Sequence, residues 1–451
     1  MTSAERPGSS APRPYSFPAT TEQQLENGLR VVSVPLHRLP AATVLFTVDA
    51  GAERDPVARA GIGAITAQAL GEGTASRTAP ELAAAFERLG GELHADAGWT
   101  HAECGTTVLS AQVIDVLGLL ADVVRNPRFS DEGVHRLRRE RLAELLQQRA
   151  EPRGMADDLF AECCFAAGDR YGLPSGGAEQ SVMATTPEDV RACYQSRYSP
   201  HSSLLIVSGD VPADDAVRLA DDAFGSWSSG PGPEAPAITA GWRETSGVHL
   251  GHRPDAPQSE IRVGHASVAR THPDFFALAV MNAILGGLFN SRINMNLREA
   301  HAYTYGAFSA FGWRRSGSVF EVSTAVQSDV TASAVREILG EIDRIRAEPV
   351  RTEELSLATD YLTGVFPLRF ETTAAIADAI AFRSHLGLST RYYDEYRTAV
   401  QAVTADDVQR VANAHLEPAR LQVVVVGDAA LISQPLEALG LGDVRRVEAA
   451  S

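Results

Sequence analysis

One segment of this chain occurs twice. Thr186, Asp189, Val190, Pro200, Gly209 and Asp210 recur as Thr404, Asp407, Val408, Pro418, Gly427 and Asp428, every pair 218 residues apart. Six identities at a single offset mark a duplicated supersecondary unit, and a duplicated unit limits the fold to two similar halves. In both copies Thr opens a T-x-x-D capping pattern for a short helix. The chain then passes through Pro into an apolar run, Leu204 to Val207 or Leu421 to Val426, and stops at Gly-Asp. Each half therefore closes with helix, buried strand and turn.

A second echo lies upstream. The helix expected over Val113 to Arg125 ends at Asn126-Pro127 and is followed by Ser130-Asp131-Glu132; its counterpart, Val335 to Arg346, ends at Pro349 and is followed by Thr352-Glu353-Glu354. Here the offset is 222, so the halves differ by a few loop residues. Between the copies, Ser226 to Pro236 is rich in Gly, Pro and Ser and reads as a linker. With 451 residues the chain exceeds what one core organises. The expected layout is a disordered tail over 1–18, an N-terminal domain over 19–225, a linker over 226–243 and a C-terminal domain over 244–445. Strand and helix signals come in runs, with strands expected over Leu29 to Val34 and Ala42 to Val48 and helices after them. That order predicts an α+β fold of two similar repeated domains, each an antiparallel-rich sheet packed with helices.

Composition narrows the function. The formal net charge is -17 and every basic residue other than histidine is arginine. Such a negative field repels phosphate backbones, so nucleic acid is not an expected partner. No apolar run approaches the roughly 18 to 20 residues of a membrane span, and Met1 to Pro18 lacks the charged start and apolar core of a secretion signal. A cytoplasmic protein with no membrane partner is expected. Cys104, Cys163, Cys164 and Cys193 show no C-x-x-C spacing, which predicts buried free thiols rather than a zinc knuckle or disulfides.

Near the N-terminus, Gly61 to Thr74 reads as a short helix closed by glycine. Thr78 and Glu81 cap a helix over Pro80 to Leu89, Gly90-Gly91 stops it, and Glu92 to Trp99 with Ala102 to Ser110 form a hairpin. The runs Asn27-Gly-Leu-Arg-Val31, Val48-Asp-Ala-Gly-Ala-Glu-Arg-Asp55, Gly73-Thr74, Leu89-Gly-Gly-Glu-Leu93 and Asn126-Pro-Arg-Phe129 follow in order. Together they resemble the N-terminal domain of the insulinase and pitrilysin family of zinc peptidases, in its mitochondrial-processing-peptidase-like branch. The similarity runs from about residue 20 to 440. Active members carry H-x-x-E-H on the first helix, two zinc-binding imidazoles with a general base between them. The resemblance places those five positions at Ala64, Ile65, Thr66, Ala67 and Gln68, and the family's third ligand at Glu144. Both imidazoles and the base are missing, so neither metal nor cofactor is expected in this chain. His94, His101 and Glu103 share the hairpin and could approach one another, though their spacing matches no established zinc pattern.

The second half contains Ile284-Leu-Gly-Gly-Leu-Phe-Asn-Ser-Arg-Ile-Asn-Met-Asn-Leu-Arg-Glu-Ala-His-Ala-Tyr-Thr-Tyr-Gly306. A helix is expected to end at Gly286-Gly287 and another to run from Asn290 to Glu299, before a strand around Tyr305. Taken alone, Arg298 and Tyr305 suit a surface ion pair and a half-buried core residue, and the two glycines suit a helix stop. The resemblance implies more: Arg298 and Tyr305 match a catalytic pair that faces the zinc across a closed chamber, and Gly286 and Gly287 match a substrate-binding loop. Tyr303 shares the strand parity of Tyr305 and competes for its role. A chain without H-x-x-E-H that keeps this pair matches the partner of a zinc-bearing subunit with that motif. The implied function is a non-zinc-binding subunit of a heterodimeric metallopeptidase, inactive alone, which binds peptide and supplies transition-state donors. A structural or assembly subunit, and a self-associating peptide binder, are the other readings.

Overall fold

The computed structural model describes residues 13–228 and 240–447. Two six-stranded sheets carry the fold. The first orders β1 (Thr21–Gln24), β2 (Arg30–Pro35), β6 (Ser203–Gly209), β3 (Ala41–Val48), β5 (Ala102–Leu109) and β4 (His94–Ala97) side by side. The second repeats that order as β12 (Val444–Val447), β7 (Gly247–His252), β11 (Gln422–Gly427), β8 (Gln258–Ser267), β10 (Ser318–Gln327) and β9 (Ala307–Phe311). β2 with β6 and β7 with β11 are parallel, as is β12 with β7; the other pairs are antiparallel. The expected α+β architecture of two repeated domains is what the chain adopts. β2 and β3 are consecutive but not paired, because β6 returns from 155 residues beyond the end of β3 (48 to 203) and lies between them.

The duplicated closing unit forms as its sequence predicts. Thr186 and Thr404 each donate a hydroxyl to the carboxylate three residues on, Asp189 at 2.7 Å and Asp407 at 2.6 Å, and each hydroxyl accepts the backbone N–H of that residue. These capping boxes start the helices Pro187–Arg197 and Ala405–His415, which lead into the two central strands β6 and β11.

Central strands are apolar on both faces because both faces are covered. In the first sheet, Val44, Phe46, Val48, Leu205 and Val207 pack into the core of their own half. Leu45, Leu204 and Ile206, on the alternate parity, join the core of the C-terminal half. What covers them is the helix Thr373–His385, which comes from the other half: Thr373 bonds Thr43 at 2.8 Å and His385 bonds Thr47 at 2.8 Å. The exchange is mutual. The helix Pro152–Cys164, 221 positions earlier (152 to 373), lies on the second sheet, where Phe160, Cys163 and Cys164 cluster with Ala266 and Val424 and Asp157 binds Arg262 at 2.7 Å. All four cysteines are free and buried.

Two sequence expectations change at the chain's margins. Of the expected tail, residues 1–12 lie outside the described residues, but Tyr15 stacks beside Phe366 and Phe370 and Phe17 is buried against Tyr393. The aromatic rings anchor this stretch to the C-terminal half. Of the expected linker, 229–239 lie outside the described residues; Trp227 is buried in the first core, and Gly241 accepts from Ala166 N–H and donates to Asp169. The helical stretch Phe275–Ala300 is long and apolar enough to cross a membrane by composition, yet 67% of its most apolar window is buried. It is the core helix of the second half.

Candidate functional site

The segment from Asn282 to Phe311 is built around polar side chains that tie its turns to an edge strand. A regular helix, Phe275–Asn282, widens into a π turn over Ala283–Gly287, and a second π turn over Met295–Ala300 follows a short helical turn at Arg292–Asn294. Asn282 donates to the carbonyl of Ser309 at 3.0 Å and accepts the Ser309 hydroxyl at 2.7 Å, which joins the first π turn to β9. Asn294, 1% exposed, donates to the carbonyl of Phe289 and accepts the N–H of Ala307, so it closes the loop onto the start of the same strand. Thr304 and Thr324 both donate to the carbonyl of Gly306.

The four residues singled out from sequence sit on this frame. Gly286 is buried, and a Cβ there would fall 2.6 Å from the backbone nitrogen of Ser309, so only glycine lets the π turn approach β9 this closely. Gly287 is exposed beside it. Arg298 lies on the second π turn with its guanidinium 4.4 Å above the ring of Phe289, two residues beyond Gly287, and 3.5 Å from Glu299. Arg298 and the glycine loop are thus brought together. Tyr305 is 97% exposed and has no hydrogen-bond or ring partner among the described residues. It stands on the turn before β9 rather than in a strand, so strand parity does not govern it. Tyr303 differs from it, being half-buried, stacked on His301 at 4.9 Å and tied by its N–H to Leu297.

The N-terminal half offers no zinc site where the resemblance would put one. Ala64 and Ala67 lie buried on the helix Ile62–Ala69 and carry no donor atom, and the Gln68 amide reaches Asp96 at 3.5 Å. A neutral amide and two methyl groups do not fit the metal. Glu144 is exposed and paired with Arg141 at 3.1 Å. The hairpin groups do converge: His94 and His101 approach separate oxygens of Glu103 at 3.6 and 3.3 Å, and the His101 ring stacks at 4.5 Å on that of His385. The His101 hydrogen bond, working against burial, holds the Glu103 carboxyl below its usual range. Burial drives the His385 imidazole well below its usual value, with His101 acting in the same direction, and so keeps it neutral.

Sequence reasoning missed the residues that join the halves beside this hairpin. Arg315, on the turn between β9 and β10, binds Asp49 at 2.9 Å and Glu53 at 3.0 Å, and Tyr171 donates to Glu53 at 2.8 Å. Arg314 lies 4.0 Å over Trp99 and 4.7 Å from the Tyr171 ring. The only available signal was an Arg-Arg pair after the strand expected around Tyr305, and its partners lie more than 140 residues away.

Comparison with known proteins agrees with this arrangement. The family described as Insulinase (Peptidase family M16) matches residues 30–167, and that described as Peptidase M16 inactive domain matches residues 184–362. A protein of Mycobacterium leprae named as an uncharacterized zinc protease is 28% identical over 398 residues, covering 86% of this chain and 87% of that one. A probable mitochondrial-processing peptidase subunit beta of Arabidopsis thaliana is 25% identical over 426 residues, covering 91% and 79%. Among solved structures, a peptidase M16 inactive domain from Pseudomonas fluorescens superposes with a TM-score of 0.84 at 23% identity, covering 91% of this chain and 98% of its own. A Helicobacter pylori protease does so with a TM-score of 0.85 at 19% identity, covering 91% and 100%.

Proposed function

Since the chain belongs to the insulinase family, peptidase family M16, and carries Ala64, Ala67 and Gln68 where that family's metal motif falls, we propose that it is the non-zinc-binding subunit of a heterodimeric metallopeptidase. Its partner would be a related chain bearing H-x-x-E-H, whose two imidazoles would hold the zinc that supplies Lewis-acid activation of the scissile carbonyl and water. The substrate is a peptide held between the two subunits.

One observation carries the reading: a tyrosine that is 97% exposed and partnerless stands on a turn fixed from below by Asn294, Thr304 and Thr324. A large ring left in solvent gains nothing for this chain's own core, whereas a phenol on a rigid turn is a preorganised donor for a carbonyl oxygen that gains charge. Arg298 supplies a second donor. Its stacking on Phe289 beside exposed Gly287 places a guanidinium next to backbone that an extended peptide can approach. The chain adds electrostatic stabilisation and peptide binding to the reaction, not the catalytic metal.

In the assembled pair, Tyr305→Phe or Arg298→Ala should lower kcat by about 10² to 10³, the loss expected for one preorganised donor, with a smaller effect on KM. Metal content and subunit association should not change. Wild-type turnover in both variants would make the chain a structural or assembly subunit instead.

A further inference from the structure

The internal repeat supplies a comparison at the foot of the two core helices. In the N-terminal half, Asp55 precedes the helix Ile62–Ala69 and is clamped to the helix Pro187–Arg197: its side chain is fully enclosed, Arg197 binds it at 2.8 Å, Arg170 stands 3.6 Å away, and it accepts the N–H of Gly61. In the C-terminal half the clamp recurs with different chemistry. Asp274, 219 positions later (55 to 274), immediately precedes the helix Phe275–Asn282 and is bound at 2.8 Å by His415, 218 positions after Arg197 (197 to 415). His272 joins it, its ring 5.0 Å from that of His415 and its Nδ1 3.9 Å from the same Asp274 oxygen. One imidazole, His415, stands where the first half has the Arg197 guanidinium, and a second, His272, lies beside it.

That exchange matters because a guanidinium cannot ligate a metal ion and an imidazole can. One ligand atom from each of His272, Asp274 and His415 lies within 4.8 Å of the others, the only such group among the described residues. Ligand atoms about 2 Å from a common ion lie no more than about 4 Å apart, so the side chains must close slightly on the ion; two nitrogens with one carboxylate oxygen suit zinc, cobalt or nickel rather than calcium or magnesium. The groups are half-buried, so water can complete the shell. We propose that His272, Asp274 and His415 form a binding site for one divalent transition-metal ion of the zinc class.

The surroundings tolerate the added charge. Arg410 binds the other oxygen of Asp274 at 2.9 Å, which leaves the oxygen facing both imidazoles for the ion, and Arg410 is 53% exposed with Asp407 at 3.6 Å as an alternative partner. The N–H of Asp274 donates to Nδ1 of His272, which fixes that ring and leaves its Nε2 as the atom to ligate. A bound ion would tie the start of the core helix, which leads into Gly286 and Arg298, to the helix Ala405–His415.

The repeat also supplies the control. The full chain, stripped with a chelator, is titrated with Zn²⁺ and with Mg²⁺, and with Co²⁺ to read its visible absorption. One Zn²⁺ or Co²⁺ per chain should bind, with a rise in melting temperature that Mg²⁺ does not give. His415→Arg copies the first half's clamp, so it should keep the metal-free melting temperature and lower Zn²⁺ affinity at least about 10-fold. His272→Ala, which leaves the His415 to Asp274 bond in place, should weaken it likewise. The proposal is overturned if the wild-type chain takes up no Zn²⁺ at about 0.1 mM, if both variants bind as tightly as wild type, or if His94→Ala rather than His415→Arg abolishes binding.

Discussion

Arg292 is 8% exposed, and its charge is answered by a bidentate pair with Glu354 at 2.8 and 2.9 Å. Burial works to raise the Glu354 carboxyl, but Arg292 and the N–H of Arg351 outweigh it and hold the group down to about 2, against an ordinary value of 4.5. A carboxylate depressed in the folded state stabilises fully above its unfolded pKa and loses that contribution as pH falls through the folded one. The pair should therefore hold at neutral pH and fail between about 4.5 and about 2. Glu354→Gln leaves a buried guanidinium without its counter-charge and should cost about 3 to 5 kcal/mol at pH 7. It should cost far less at pH 2, as denaturant unfolding at the two pH values will read; equal losses at both would show that the pair does not titrate. At this scale the candidate site was legible in part. The seven-residue spacing of Arg298 and Tyr305 could be read directly, but Gly286 looked like a helix stop, because the Ser309 backbone that excludes a side chain there is brought in by β9. Tyr303 and Tyr305 could not be told apart, since parity presumes a strand and the chain at 303–305 is a turn.

Helix starts were legible because a cap is local chemistry: Thr78, Thr186 and Thr404 each hold the acid three residues on. Thr186→Ala and Thr404→Ala should each destabilise the chain by about 0.5 to 2 kcal/mol. Because the two boxes have the same geometry in the two halves, the losses should match within about 0.5 kcal/mol and add in the double variant. Chemical denaturation checks this, and a large difference would mean that the two halves load their caps unequally. Strand order was not legible. β6 enters between β2 and β3 by a pairing 174 positions away (30 to 204), and nothing within either strand encodes a partner at that distance. The two π turns were hidden as well, since an apolar helical pattern does not distinguish a regular turn from a widened one.

The repeat announced two halves, and two matching sheets are what the chain builds. It did not announce that each half lends the other a helix, because an apolar helix face does not say whose sheet it will meet. Without Thr373–His385, the first sheet would present Leu45, Leu204 and Ile206 to water; without Pro152–Cys164, the second would present Ala266 and Val424. Neither half is a complete hydrophobic body on its own. The peptide connection at 229–239 is then not what keeps them together. A protease site placed there, once cut, should leave the pieces co-eluting at the size of the intact protein and melting in one transition. Two separate peaks, or two melting steps, would show the exchange to be loose. The mutual loan works like a clasp closed from both sides: the molecule behaves as two strangers' hands already shaken, and separate genes for its halves should reassemble it in the cell.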